Sequence, residues 1–191
     1  MLAEPLAITL MVINAFETLG VPYMIGGSLA SAFHGTARST LDSDLVADLR
    51  AEQIIPLVEM LKQDFYVDEE MILDAFEHKI SFNLIHLQTA FKVDVFIIKP
   101  RRFDQIEFKR RQLQTVSNEP YRKAYVTTAE DIILAKLEWY RMGGEVSDRQ
   151  WRDILGVLKV QVGRLDLEYL RCWAAELNVA DLLQRALKES E

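Results

Sequence analysis

The segment Met24 to Leu49, MIGGSLASAFHGTARSTLDSDLVADL, constrains the fold more than any other part of the chain. An apolar run from Val21 to Ile25 reads as a strand and stops at Gly26-Gly27-Ser28. Helical composition begins at once, from Ser28 to His34, and Gly35 closes it. A second apolar run, Asp44 to Ala47, predicts the next strand. A strand that turns directly into a helix beside another strand calls for a sheet with helices packed against it. The glycines let backbone N–H groups approach a ligand closely, and the helix N-terminus adds positive dipole character. Ser28 brings a hydroxyl to the same point, so Gly26, Gly27 and Ser28 have the makings of a phosphate cradle. Taken alone, the same residues also read as a tight turn with an N-cap serine.

Asp42-Ser43-Asp44 follows within the same segment. Positions i and i+2 on a strand face one side, about 6.6 Å apart along it, so the two carboxylates can converge. Two anions ~4 Å apart repel by about 4 kcal/mol at an effective dielectric of 20. A cation between them removes that penalty, and oxygen donors suit magnesium. A third carboxylate, Asp94, lies in Lys92-Val93-Asp94-Val95-Phe96-Ile97-Ile98 and shares a face with Phe96 and Ile98. A carboxylate in so apolar a strand is costly unless it is paired, hydrogen-bonded or metal-bound. An ion pair with Lys92 is not the expected answer, because Lys92 sits at the strand's entry. Lys136 lies on the apolar face of its helix with Ile132 and Ile133, and an inward lysine wants a carboxylate or a phosphate unless it snorkels to water. Asp153 sits early in the next helix, beside Trp151 and Ile154.

The rest of the chain divides by pattern. Helices are predicted over Leu6 to Leu19, Ala51 to Gln63, Glu69 to Phe76 and Phe103 to Gln112. Strands are predicted at Phe65 to Val67 and at Ile80 to Leu87 and Phe91 to Ile98, the last two joined by a Gln88-Thr89 turn. Ala124 to Val126 reads as a last strand. Beyond it the chain is helical: Glu130 to Arg141, Asp148 to Val160, Asp166 to Leu177 and Ala180 to Lys188. The expectation is an α+β domain over residues 1–120, a mixed sheet flanked by helices, and an α-helical C-terminal region over 121–191. Trp139, Trp151 and Trp173 read as core of the helical region, and Cys172 as a small buried residue.

With 191 residues and half of them hydrophobic, the chain can bury a core without metal or disulfide staples. Its one cysteine excludes an internal disulfide. The formal net charge of −7 argues against a broad duplex-DNA surface. Lys99 to Arg111, with six basic and two acidic residues, suits either an RNA contact or a solvated helix face. His34, His78 and His86 are too scattered for a zinc site, and His34 reads as packed or solvated. No apolar run reaches the ~20 residues of a membrane span and no targeting signal is evident, so a cytoplasmic protein is expected.

Gly-Gly-Ser, a helix, Asp-x-Asp and a later strand Asp resemble the nucleotidyltransferase superfamily of the polymerase-beta fold. The spelling Gly26-Gly27-Ser28, Arg38-Ser39-Thr40, Asp42-Ser43-Asp44 looks most like its minimal bacterial members. Thr128 to Lys136 and Asp153-Ile154 look like the third and fourth motifs of its AbiEii toxin branch, although Gln150 stands where that branch commonly has a second Asp. The resemblance implies that Gly26, Gly27 and Ser28 bind a nucleoside triphosphate and that Lys136 touches its phosphates. It implies that Asp42 and Asp44 hold magnesium, two ions in all with manganese as a substitute. Asp94 would complete the metal site and help deprotonate the acceptor hydroxyl. The implied activity is transfer of an NMP from an NTP such as ATP to a hydroxyl of a small molecule, a protein or a tRNA. The alternatives are a non-catalytic nucleotide-binding or interaction module and the toxin of a toxin–antitoxin pair, with an antitoxin protein as partner.

Overall fold

The computed structural model describes residues 4–36 and 40–190. Arg38 and Ser39, part of the resemblance above, lie outside the described residues. The chain divides into two compact units, one comprising residues 1–26 and 40–126, the other 27–39 and 127–191. The boundary expected at residue 120 falls inside the first of these, in a hairpin described below.

In the first unit, seven strands among the described residues form one mixed sheet. In chain order they are β1 (Tyr23–Ile25), β2 (Asp42–Ala47), β3 (Phe65–Tyr66), β4 (Ser81–His86), β5 (Lys92–Ile97), β6 (Gln112–Asn118) and β7 (Tyr121–Val126). Their spatial order is β3-β4-β5-β2-β1-β7-β6. Strands β2 and β5 run parallel, as do β1 and β7, while the other neighbours are antiparallel. Strands β2 and β5 each alternate between half-buried and fully buried residues. Ser43, Leu45, Val93 and Val95 therefore face the core, and the polar residues between them face the other way.

Helices α1 (Glu4–Thr18), α3 (Ala51–Leu61), α4 (Glu69–His78) and α5 (Arg102–Arg110) complete this unit. Helix α1 is apolar on most of its circumference and buries Leu10, Val12, Ile13 and Phe16. Its one inward hydroxyl, Thr9, donates to the Pro5 carbonyl at 2.7 Å and accepts from Ser43 Oγ at 2.8 Å, which satisfies two buried polar groups together. Helix α3 buries Ile54, Leu57 and Leu61, the stripe its periodicity predicts, and Asp68 caps α4 by accepting from the Met71 N–H at 2.8 Å.

Strand β6 is absent from the sequence reading, and β7 begins at Tyr121 rather than Ala124. The physical reason is that β6 is an edge strand with one fully buried residue, Val116, so it carries no alternating apolar signal. It is held by its ladder to β7, with a register shift between Thr115 and Ser117.

The second unit is helical: α2 (Gly27–His34), α6 (Ala129–Met142), α7 (Asp148–Val160), α8 (Leu167–Glu176) and α9 (Ala180–Ser190). Thr128, Ser147 and Asp166 cap α6, α7 and α8, each accepting a backbone N–H three residues on. At Gly35 the end of α2 meets α7 backbone to backbone, where an added Cβ would lie 2.8 Å from Val157 N. Trp151 and Trp173 are buried here as expected, but Trp139 is 52% exposed and Cys172 is exposed rather than buried. No helix among the described residues is long and apolar enough to cross a membrane.

Candidate functional site

Strands β2 and β5 place the three acidic residues. Their parallel register sets Asp44 beside Asp94 and Asp42 beside Lys92. All four residues lie on the half-buried face that the alternation leaves away from the core. The sequence expectation for Asp42, Asp44 and Asp94 thus becomes two carboxylates in adjacent register, with a third one strand-repeat along the same face.

Asp94 is tightly held. Its Oδ1 accepts from Asn83 Nδ2 at 3.0 Å, and its Oδ2 lies 2.7 Å from Lys92 Nζ. Asn83 is the register partner of Asp94 on β4, and sequence reasoning missed it. The available signal was a lone amide in the otherwise apolar stretch Phe82 to Ile85. The ion pair with Lys92 corrects the expectation that Lys92 would not answer for Asp94. On a pleated strand, residues two apart rise from one face, and a lysine stem is long enough to reach back. The hydrogen bond that Lys92 donates to Asp94 holds its ammonium above the usual lysine range; burial opposes this, and the charges of Asp94, Asp42 and Asp44 reinforce it. At the head of β2, Thr40 Oγ1 donates to the Asp42 carbonyl at 2.7 Å and lies 3.2 Å from Asp42 Oδ1.

The donor set on this face, three hard carboxylate oxygen donors, is of the type that suits a magnesium-like cation. One cation, the Lys92 ammonium, already sits against it. As the side chains stand, no three His, Cys, Asp or Glu residues among those described converge closely enough to hold a metal ion.

The Gly26-Gly27-Ser28 step is where the chain passes from one unit to the other. Gly26 is a sheet residue in practice: its N–H donates to the Asp44 carbonyl at 2.9 Å, so this amide is committed to the strand pair. Gly27 takes φ of +52°, which a side chain would strain, and opens α2. The first N–H groups of that helix have no carbonyl within it to bond. Within the helical unit, Arg149 Nη2 lies 3.5 Å from Ser28 Oγ. Arg149 was also missed. Its cue is an arginine in the first turn of α7, where the helix dipole disfavours positive charge.

Lys136, which the resemblance sets against phosphates, is buried in a polar cluster of the helical unit. Its Nζ lies 2.9 Å from Asp153 Oδ2 and donates to Gln150 Oε1 at 2.8 Å. The lysine and aspartate side chains are 5% and 6% exposed. Gln150, which departs from the toxin-branch pattern, thus supplies an uncharged acceptor to the same ammonium. His34 is packed: its Nε2 donates to the Thr127 carbonyl at 2.6 Å. Burial pulls its pKa below the usual histidine value, against the opposing effect of that bond and of Glu130. The basic run at α5 is partly spent inside its unit: Arg101 forks onto Asp104, and Arg111 stacks on Phe108 and Tyr125.

No protein-family model matches this chain, and no curated protein matches it. Solved structures do. An antigenic nucleotidyltransferase-like protein from Paracoccidioides brasiliensis is similar at 22% identity and a TM-score of 0.57, covering 94% of this chain and 91% of that one. The antibiotic-resistance factor ANT(2'')-Ia in solution is similar at 12% identity and a TM-score of 0.59, with 97% of each chain covered. The lincosamide antibiotic adenylyltransferase LnuA, lincomycin-bound, is similar at 15% identity and a TM-score of 0.53, with 80% of this chain and 95% of that one covered. On these likenesses the chain has the α+β fold of the nucleotidyltransferases.

Proposed function

We propose that this chain is a magnesium-dependent nucleotidyltransferase that moves an NMP group from an NTP to a hydroxyl acceptor. The observation that carries the reading is the register of β2 and β5, which sets Asp42, Asp44 and Asp94 on one face of the sheet. Asp42, Asp44 and Asp94 would hold the metal. Bound magnesium would lower the charge cost at the α-phosphate and at the departing pyrophosphate.

The chain's own residues divide the remaining work. Ser28 and the first amides of α2 would take triphosphate oxygens at a helix N-terminus. Arg149, beside Ser28, adds positive charge there. Asp94 would accept the proton of the acceptor hydroxyl at its Oδ2, while Asn83 holds the other oxygen in place. The new bond joins the acceptor oxygen to the α-phosphorus, and the bond to pyrophosphate breaks. Lys136 belongs to the support of the helical unit in this reading, through Asp153 and Gln150.

A small-molecule hydroxyl is the acceptor this reading favours. One structural neighbour is an antibiotic adenylyltransferase with lincomycin bound, and another is ANT(2'')-Ia in complex with adenylyl-2''-tobramycin. The toxin reading rests on the sequence motifs alone. The test is incubation with each of the four α-labelled NTPs, magnesium and either aminoglycosides, lincosamides or cell extract. Label moving to a small molecule, and not with Asp44→Asn, supports the reading. Nucleotide binding without transfer to any acceptor would leave a non-catalytic nucleotide-binding module, and label on a protein or tRNA would redirect the acceptor.

A further inference from the structure

We infer that Lys92 is a built-in counter-cation for the carboxylate face: its ammonium stands in for a divalent ion and must release Asp94 before that ion binds there. This rests on the metal reading above and adds a competitor to it.

Register and exposure carry the argument. Lys92 stands beside Asp42 across the strand pair, and Asp94 stands beside Asp44, so the lysine rises from the same face as all three acids. Its Nζ reaches Asp94 Oδ2 at 2.7 Å. The two partners differ in freedom. The lysine side chain is 42% exposed and the aspartate 14%, and Asn83 anchors the other carboxylate oxygen. The lysine can therefore swing to solvent on its long stem while the carboxylate stays in position. At the same place a doubly charged ion attracts carboxylates more strongly than a single ammonium does, so it is the stronger occupant when it is available. Until then the ammonium lowers the repulsion between the acids and blocks Asp94 Oδ2, the oxygen that would take the acceptor's proton. The site is thereby silenced in the absence of metal without any movement of the sheet.

The experiment is titration of the full chain with Mn2+ alone, without nucleotide, followed by electron paramagnetic resonance. Wild type, Lys92→Met, Lys92→Arg and Asp94→Asn are compared, with circular dichroism to confirm folding. Loss of an ion pair this exposed corresponds to a change of up to about fivefold, so Lys92→Met is expected to bind Mn2+ about two- to fivefold more tightly. Lys92→Arg keeps the charge and is expected to match wild type, and Asp94→Asn is expected to bind more weakly. Side-chain 15N resonances of lysine in the wild type give a readout that does not depend on a variant's folding. The Lys92 ammonium is expected to lose its protection from proton exchange on addition of Mg2+. Unchanged or weaker Mn2+ binding by Lys92→Met, or a Lys92 resonance indifferent to bound Mg2+, overturns the counter-cation while leaving the metal reading intact. Absence of Mn2+ binding by folded wild type and Lys92→Met alike overturns both.

Discussion

Replacing Lys136 by Met separates the two roles this lysine has been given. The stem of methionine keeps most of the packing, and the ammonium is lost. Asp153 is then left with a side chain 6% exposed and no cation at 2.9 Å. Gln150 Oε1 loses its donor at the same time. Removing one partner of a buried pair costs about 3–5 kcal/mol, because the surviving charge stays desolvated. For a chain of this size each kcal/mol moves Tm by about 2–4 °C, so the variant is expected to melt roughly 6–20 °C lower. Urea unfolding at neutral pH measures the loss. The double variant Lys136→Met/Asp153→Leu removes the stranded charge and is expected to recover to within about 1–2 kcal/mol of wild type. A direct phosphate contact would give the opposite pattern. Stability would fall by less than about 1 kcal/mol, and NTP affinity would drop ten- to a hundredfold, as expected for a lost charged hydrogen bond of roughly 1.5–3 kcal/mol. That pattern would refute the assignment of Lys136 to structural support.

Three further outcomes are expected. Magnesium with NTP raises the melting temperature of wild type in a thermal-shift assay, since a ligand of the native state stabilises it, and Asp42→Asn loses most of that rise. His34, whose folded pKa is lowered by burial, is neutral in the native state, so its contribution to stability is complete above its unfolded value of 6.5 and is lost as pH falls below it. Urea midpoints between pH 8 and 5 are therefore expected to fall more steeply for wild type than for His34→Gln. Gly35→Ala forces a Cβ to within 2.8 Å of Val157 N and 2.9 Å of the Gly156 carbonyl carbon, and is expected to cost about 1–3 kcal/mol in the same assay.

What was legible in the sequence follows from which signals are local. The strand–glycine–helix step, the Asp-x-Asp pair and Asp94 could be read because strand alternation assigns each residue a face without knowledge of its neighbours. Their assembly could not be read. Asp44 stands beside Asp94 only because β5 pairs with β2 in parallel, and that depends on a crossover through two helices and two further strands. Strand β6 was lost because an edge strand with one buried residue has no apolar pattern to detect. Lys136 was legible as an inward cation, but whether it meets a carboxylate or a phosphate is decided by α7, packed against it. The exposures of Trp139 and Cys172 went wrong because apolar character alone does not say which side of a helix its neighbours leave open.

The central claim is that Asp42, Asp44 and Asp94 form a divalent-metal site that serves a bound NTP. Crystals grown with Mn2+ and a non-hydrolysable NTP, measured at the manganese absorption edge, test it most directly. An anomalous peak is expected within coordination distance of Asp42, Asp44 and Asp94, with Lys92 no longer bonded to Asp94. Nucleotide bound with no anomalous peak on that face, or with the Lys92–Asp94 bond intact beneath it, would contradict the account.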